Sequence, residues 1–279
     1  MVQTEKDRLV FELAWHYLLG LGVEGITPEL LDKYGRLSEN GVNRTTLNDV
    51  FQGLIESLQN KGMSSKVIGQ AINGIDRLSK PLFDFSPTKT NEIYAQDWEY
   101  LLTTIKFQLK PKGKIRMTPK SAWPQFCRGI LSGAEFFSQF SSVHDFNTWV
   151  EVFDHDERTR AALPLLLSTE IHGLGFALAC DFLKEQGYTN YAKPDVHLRD
   201  IFVGLELCPS NVSDYHLFKS ICRVASSVGD EMSPYYVDKV FWLIGSGNFY
   251  DDKEIGNDGK IGSRKADFIK FAKTKLEGL

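Results

Sequence analysis

Apolar residues recur at three- and four-residue steps through most of this chain, a spacing that places them on one face of a helix. The first such stripe is Leu9, Val10, Leu13, Ala14, Tyr17, Leu18 and Leu21. It should end near Gly20 and Gly22, because glycine readily adopts the left-handed conformation that ends helices. Similar stripes cover 47–58, 64–78, 96–109, 122–140 and 146–153. Strict alternation of apolar and polar residues, the pattern of a β-strand, is rare, and residues 114–117 are the only modest strand candidate. The sequence therefore predicts a mostly α-helical fold.

The composition is typical of a folded protein, since 42% of the 279 residues are hydrophobic and 24% are charged. A chain of this length can form one large domain or two lobes. No apolar run approaches the roughly 20 residues that a membrane helix needs. The N-terminal segment is charged from residue 5 to residue 8, where a signal peptide would be apolar. We therefore expect no membrane association and a cytoplasmic location.

The cysteines are widely separated and form no C-x-x-C pair. They are Cys127, Cys180, Cys208 and Cys222. Structural zinc sites and iron–sulfur clusters need clustered thiolates, so we expect no metal site. Free and mostly buried thiols are the alternative that this spacing favours.

The formal net charge is −4, so a polyanionic partner would have to bind a local basic patch. The segment 106–120 is one such patch, because it contains six cations and no acid. Two prolines and a glycine within it predict an irregular loop. Lys112, Lys114 and Arg116 either contact phosphates there or belong to a solvated connector. A second basic segment, 260–275, predicts an amphipathic helix with a basic outer face.

Residues 164–187 predict a helix, a short glycine-containing turn and a second helix. Pro164 suits the first position of a helix, where its missing N–H costs nothing. The turn has the sequence HGLG at 172–175. Because Gly173 and Gly175 carry no side chain, N–H groups at the N-terminus of the second helix can approach an anion, which the helix dipole also attracts. The alternative is that these glycines only turn the chain.

A rigid loop leads into a further helix twenty residues after the turn. Pro194 fixes its own φ and biases Lys193 toward an extended conformation. Asp195 stands where apolar residues with helical spacing begin. As an N-cap, its carboxylate would accept backbone N–H bonds. The same bonds would keep it ionised and oriented, so capping and catalysis are compatible.

The helix, G-x-G turn and second helix, followed by P-D-x-H at 194–197, resemble the helix-hairpin-helix GPD superfamily of DNA glycosylases. The resemblance covers residues 164–202. These enzymes rotate a base out of the duplex and cut its N-glycosidic bond. The resemblance implies a two-lobed helical fold with a catalytic cleft between the lobes. The implied lobes are 41–190, which ends in the hairpin at 164–187, and 1–40 plus 191–279.

The resemblance also implies a role for each residue of the motif. Asp195 falls on the family's essential aspartate, which stabilises the cationic sugar and positions or deprotonates the attacking water. The implied DNA contacts are His172, Gly173, Gly175, Ala177 and His197. Ala177 stands where bifunctional members have a nucleophilic lysine, so the implied enzyme is monofunctional and leaves an abasic site. For His197, an imidazole satisfied within its helix is an equally good interpretation.

We expect double-stranded DNA as the partner and a monomeric protein. No cofactor is expected, although hairpins of this family often bind a monovalent cation through main-chain carbonyls.

A flipped base needs aromatic faces to stack on. The candidates are Trp123, Phe126, Tyr235, Tyr236 and Trp242, and core packing is the competing role for each. The G-S-G at 245–247 lacks the strand–helix setting of a dinucleotide site and predicts a helix end.

Two other functions fit parts of the sequence. A non-catalytic module could use the hairpin only to hold DNA. A metal-dependent hydrolase could use Asp195 and His197 together with the acidic cluster at 154–156, but neither short cluster has the spacing typical of a metal site. The base removed by a glycosylase of this type is not specified by the sequence, and alkylated, oxidised, deaminated and hypermodified bases all fit.

Overall fold

The helical periodicity is realised in the computed structural model, which describes residues 2–36, 44–60 and 67–278. The α-helices are α1 Gln3–Leu19, α2 Pro28–Gly35, α3 Leu47–Leu58, α4 Pro87–Tyr94, α5 Trp98–Leu109, α6 Ala122–Phe137, α7 Val143–Asp154, α8 Glu157–Arg160, α9 Ala162–Glu170, α10 Phe176–Glu185, α11 Val196–Gly204, α12 Asp214–Val228, α13 Pro234–Ser246 and α14 Lys265–Glu277. Across the described residues there is no β-strand, only isolated bridges from Lys260 to Asn248 and Gly256. The predicted mostly α-helical fold class is confirmed.

Contacts divide the chain into two compact units. One lies within Met1–Gly41 and Gly187–Leu279, and we call it the discontinuous unit. The other lies within Val42–Gln186, and we call it the continuous unit. The lobes that the family resemblance implies divide at residues 41 and 190.

The core of the discontinuous unit is built around α1 and α12. Val10, Ala14 and Leu18 of the first stripe are fully buried, and α1 ends at Leu19 with Gly20 as its C-cap, as predicted. Asp7 is also fully buried and accepts a hydrogen bond of 2.6 Å from Nε of Arg223 in α12. A buried carboxylate without its cation would cost several kcal/mol, roughly 3–5 in comparable cases, so this pair fixes how α1 sits on α12.

The basic C-terminal segment forms the amphipathic helix that its spacing predicts. Phe268 and Ala272 of α14 are fully buried, whereas Lys270 and Lys273 are exposed. The ring of Phe268 packs against Tyr17 of α1 at a centroid distance of 5.2 Å. The lysines therefore cover the outer face of a helix whose inner face closes the core.

The continuous unit has an aromatic core centred on Phe137 near the end of α6. Ring centroids of Phe51, Phe146 and Phe182 lie 6.2, 5.2 and 6.2 Å from it. These rings come from α3, α7 and α10, so α6 is the helix around which the unit packs. The stripes predicted at 47–58, 96–109, 122–140 and 146–153 correspond to α3, α5, α6 and α7.

Two local predictions are wrong. The stripe at 64–78 does not form one helix: residues 64–66 lie outside the described residues, and two short 3₁₀ helices, Gln70–Ile72 and Ile75–Ser79, follow. Asn73 is left-handed at φ 60° and Gly74 has φ 114°, so the helical path is interrupted between them. Residues 114–117 form no strand and belong to the irregular basic loop.

The G-S-G at 245–247 ends a helix, as predicted. Gly247 follows α13 in the left-handed conformation with φ 63°, and its N–H donates to the carbonyl of Leu243 at 2.8 Å.

Within the described part of the chain, no helix is both long enough and apolar enough to cross a membrane.

Candidate functional site

The glycine turn at 172–175 connects α9 to α10 in the continuous unit. The carbonyl of Ile171 accepts the N–H of Leu174 at 3.1 Å, and Leu174 is only 1% exposed, so it fills the angle between the two helices. Pro164 was expected at the first position of the preceding helix, but α9 begins two residues earlier, at Ala162. Proline is equally tolerated there, because the first four N–H groups of a helix have no intrahelical acceptor.

The two glycines of the turn differ in backbone conformation and in the space around them. Gly173 has φ 85°, a conformation that is strained for any residue with a Cβ. Gly175 has φ −69° and no described atom lies within 4 Å of the position that a Cβ would occupy. Neither backbone strain nor packing within the unit explains a glycine at 175. Its place as the N-cap of α10 suits glycine, and the open position leaves the backbone accessible at the surface.

The N-terminus of α10 lies directly behind this open position. Gly175 is the N-cap and offers no side chain to the first turn, and the first carbonyl used within the helix is that of Gly175, which accepts from Ala179 at 2.9 Å. Ala177 lies in this first turn and is half-buried. A phosphate near Gly175 would meet N–H groups and the positive end of the helix dipole.

Helix α6 supports the turn from behind. Oγ of Ser132 accepts the backbone N–H of His172 at 2.8 Å. A Cβ on Gly129 would lie 2.8 Å from the carbonyl oxygen of His172, so the two backbones can approach only because residue 129 is glycine. These supports are more than 35 residues from the turn in sequence. No local pattern identifies them.

Gln125 joins the turn to the basic loop. Its Oε1 lies 2.8 Å from Nε2 of His172, and its Nε2 donates to the carbonyl of Pro119 at 2.7 Å. Pro119 belongs to the segment 106–120, so one side chain bonds both features that the sequence singles out for phosphate contact. The structure therefore brings the turn and the end of the basic loop together on the continuous unit.

The basic loop presents its cations outward. Lys112, Lys114 and Arg116 are exposed, and none forms an ion pair with any part of the chain that the structure describes. The backbone N–H of Lys112 donates to the carbonyl of Ala71 at 2.7 Å, which anchors the start of the loop. Together with the turn, these three side chains define what we call the hairpin face.

Asp195 is the N-cap of α11 in the discontinuous unit, as predicted. Its Oδ1 accepts the N–H groups of His197 at 2.8 Å and Leu198 at 3.1 Å. The loop before it is fixed, since the N–H of Lys193 donates to Oδ2 of the buried Asp238 at 2.9 Å. Two backbone donors thus orient a half-buried carboxylate and stabilise its negative charge.

His197 packs against a close helix crossing. A Cβ on Gly245 would lie 2.5 Å from Cβ of His197, so α13 can pass only because residue 245 is glycine. Nδ1 of His197 is buried and has no hydrogen-bond partner among the residues described. The interpretation of an imidazole satisfied within its helix does not hold for that nitrogen.

The aromatic candidates for a base pocket lie mostly in the cores of their units. Trp123 and Phe126 of α6 are each 5% exposed, and their rings form a T-shaped pair with centroids 6.2 Å apart. Tyr235 is buried in α13, where Nζ of the buried Lys239 lies 5.2 Å from its ring centroid. Trp242 is half-buried. The burial of the first three indicates core packing.

Tyr236, also considered for the pocket, packs within the discontinuous unit. Its hydroxyl donates to Oδ1 of Asp32 at 2.6 Å, and its ring stacks on Trp15 at 5.9 Å between centroids. Desolvation by burial, together with the hydrogen bond to Asp32, raises the pKa of this phenol. It remains protonated and acts as a donor within the fold.

The alternative of a metal-dependent hydrolase finds little support. Oδ1 of Asp154 lies 3.3 Å from Arg160, and Oδ2 of Asp156 lies 2.6 Å from Arg158, so arginines already neutralise these acids. In the described ranges, no group of three or more His, Cys, Asp or Glu could hold a metal ion. The four cysteines are buried and free, and burial raises the pKa of the Cys127 thiol.

Comparison with protein-family models, with curated proteins and with solved structures finds no match for this chain.

Proposed function

We propose that this protein is a monofunctional DNA glycosylase of the helix-hairpin-helix type, which hydrolyses the N-glycosidic bond of a damaged or modified base and leaves an abasic site. The observation that supports it most is the unfilled space at Gly175, at the N-terminus of α10. The turn that contains this glycine is connected to an exposed basic loop by the hydrogen bonds of Gln125. A capped carboxylate follows twenty residues later, the interval at which the family resemblance places its essential aspartate.

DNA binding is the task of the hairpin face. N–H groups of Gly173, Gly175 and the first turn of α10 would donate to a phosphate beside the target nucleotide. The exposed cations at 112, 114 and 116 would contact phosphates further along the strand. His172 is exposed and held by Gln125, so its imidazole would contact the backbone of the same strand.

Bond cleavage is the task of Asp195. As the C1′–N bond breaks, the base takes the bonding electrons and the sugar becomes cationic, and a carboxylate close to the sugar stabilises that charge. Asp195 also positions a water molecule or removes its proton. The water oxygen adds to C1′, and the products are the free base and an abasic sugar. His197, two residues after the capped carboxylate, would contact the DNA backbone.

Ala177 determines the reaction type. An enzyme with an amine at this position could attack C1′ and form a Schiff base, which leads to strand cleavage. Alanine cannot do so, and the proposed enzyme uses water instead. No cofactor enters this reaction, and a monovalent cation at the hairpin carbonyls would serve DNA binding alone.

The proposed substrate is double-stranded DNA that contains one altered base, and the proposed protein is a cytoplasmic monomer. Alkylated, oxidised and deaminated bases would make it an enzyme of base-excision repair. Hypermodified bases of phage DNA would make it an enzyme of antiviral defence.

A panel of duplexes, each with one altered base, tests the proposal. Wild-type protein should convert at least one of them to alkali-labile abasic sites, and Asp195→Asn should abolish that conversion while the protein stays folded. Asp230→Asn is the matched control, since Asp230 is an exposed acid in the same unit. Release near the wild-type rate by Asp195→Asn would refute the catalytic role.

A non-catalytic DNA-binding protein is the second candidate. The bonds from Gln125 to His172 and Pro119 favour it, because they assemble the hairpin face without any contribution from Asp195. Such a protein would bind duplexes in a salt-sensitive manner and produce no alkali-labile sites on any member of the panel.

A further inference from the structure

Helix α5 presents aromatic rings to solvent on one face. Phe107 is 81% exposed and Tyr100 is 51% exposed. They lie seven residues apart, two helical turns, so both rings project from the same side of the helix. The opposite side is buried in the continuous unit through Leu101, Leu102 and Ile105. An exposed phenylalanine contributes nothing to the core that α5 helps to build.

Positive charge surrounds Phe107. Lys106 and Lys110 are exposed. Lys106 precedes Phe107 in α5, and Lys110 follows the helix as its left-handed C-cap residue. The basic loop continues from Lys110, and no acid occurs between residues 106 and 120. Glu99 is at the other end of α5, more than two turns from Phe107. The positive field is therefore concentrated at the end of the helix that carries the most exposed ring.

We propose that this surface, formed by Phe107, Lys106, Lys110 and Tyr100 and here called the α5 face, binds single-stranded DNA. The lysines neutralise phosphates, and an unpaired base stacks on the ring of Phe107. Aromatic rings beside a basic track are the two elements of sequence-tolerant single-strand binding. The inference rests on the proposed function in one respect, that the partner is DNA.

Unpaired bases fit the α5 face better than a duplex does. In a duplex the faces of the bases are already stacked on one another, whereas an unpaired base can leave the stack and cover an exposed ring. A lipid surface is less suited, because membrane-binding helices bury a continuous apolar stripe with a large moment. On α5 the apolar stripe faces the core, and the outer side carries Thr103 between the two rings.

The α5 face would hold the strand as it leaves the duplex. The chain runs from the α5 face through the basic loop to Pro119, whose carbonyl Gln125 connects to the turn at His172. A strand that lies along these cations would keep unpaired nucleotides near the hairpin face.

Binding of a fluorescent oligothymidylate of about 15 nucleotides to the full-length protein tests this surface. Phe107→Ala should weaken binding about tenfold, because one stacked base is lost. Phe107→Tyr keeps a ring and should bind as the wild type does. Val152→Ala is the matched control, because Val152 of α7 is 69% exposed in the same unit and lies outside the basic segment. A duplex of equal length should be affected less by Phe107→Ala than the single strand.

Equal affinity of Phe107→Ala and wild-type protein for the oligonucleotide would overturn the inference. Binding to anionic vesicles that depends on Phe107, without binding to the oligonucleotide, would also overturn it and assign the face to a lipid surface. Base release without single-strand binding would contradict single-strand binding by the α5 face and would still support the proposed glycosylase function. Phe107-dependent single-strand binding without base release from any duplex would support the α5 face and refute the glycosylase.

Discussion

The side-chain amide of Gln125 bonds the imidazole of His172 at 2.8 Å and, through its other end, the carbonyl of Pro119 at 2.7 Å. A single residue thus fixes the glycine turn relative to the basic loop. If these two features act together on DNA, the amide is a positioning group that needs no contact with the strand.

Gln125→Ala should lower duplex affinity about fivefold, because the loss of roughly 1 kcal/mol of hydrogen bonding lets the turn and the loop move independently. The measurement is fluorescence anisotropy with an unmodified duplex at fixed salt concentration. Gln139→Ala, at an exposed glutamine just beyond α6, is the control and should bind normally. Wild-type affinity in Gln125→Ala would show that the turn and loop do not need this connection.

Alanine substitutions at the two glycines of the turn should have different effects on the stability of the protein. Gly173→Ala should lower the free energy of unfolding by about 1 kcal/mol, since its φ of 85° is strained for alanine. Gly175→Ala should leave stability within about 0.5 kcal/mol of the wild type, because its φ is ordinary and the space is open. Urea unfolding measures both.

Gly175→Ala should nevertheless weaken duplex binding roughly tenfold, because the new methyl group occupies the position where a phosphate would approach the N–H groups of α10. Electrophoretic mobility shifts at two salt concentrations measure it. Undiminished binding by Gly175→Ala would mean that the open space serves no phosphate.

Substitutions of Asp195 should distinguish its cap from its chemistry. Asn keeps an oxygen that accepts the N–H groups of His197 and Leu198, whereas Ala removes it and should cost about 1 kcal/mol. Both variants should fail to release a base. Thermal unfolding gives the first comparison and abasic-site formation the second. A large loss of stability in Asp195→Asn would indicate that the carboxylate charge itself holds the loop.

Borohydride should trap no covalent complex between the wild-type protein and a substrate duplex, because Ala177 has no amine to form a Schiff base. Denaturing gel electrophoresis of the labelled duplex after reduction detects such a complex. A strong adduct would identify another amine as the nucleophile and change the proposed reaction from hydrolysis to amine attack.

The helices were predictable where their apolar spacing is regular. Val10, Ala14 and Leu18 lie on one face because a helix repeats every 3.6 residues, and a glycine follows at the point where α1 ends. The N-cap at Asp195 was predictable for a similar reason, since a short acceptor precedes a helical stripe. Both signals are local in the chain.

The interruption at residues 73–74 and the supports of the glycine turn were not predictable in the same way. Apolar spacing continues through 64–78, but Asn73 takes a left-handed conformation that spacing alone does not reveal. Ser132 and Gln125 meet His172 only because α6 packs behind the turn. Contacts between residues so distant in sequence depend on tertiary packing, and no periodic pattern encodes them.

The pairing of α1 with α12 has a consequence for synthesis on the ribosome. Residues 44–186 of the continuous unit emerge as one uninterrupted stretch, and domains generally fold as units during translation. Helix α1 is translated before the continuous unit, yet the arginine that neutralises its Asp7 is at position 223. Helix α1 therefore keeps its apolar side uncovered on the nascent chain until the arginine that pairs with it, 216 residues further along, has been added.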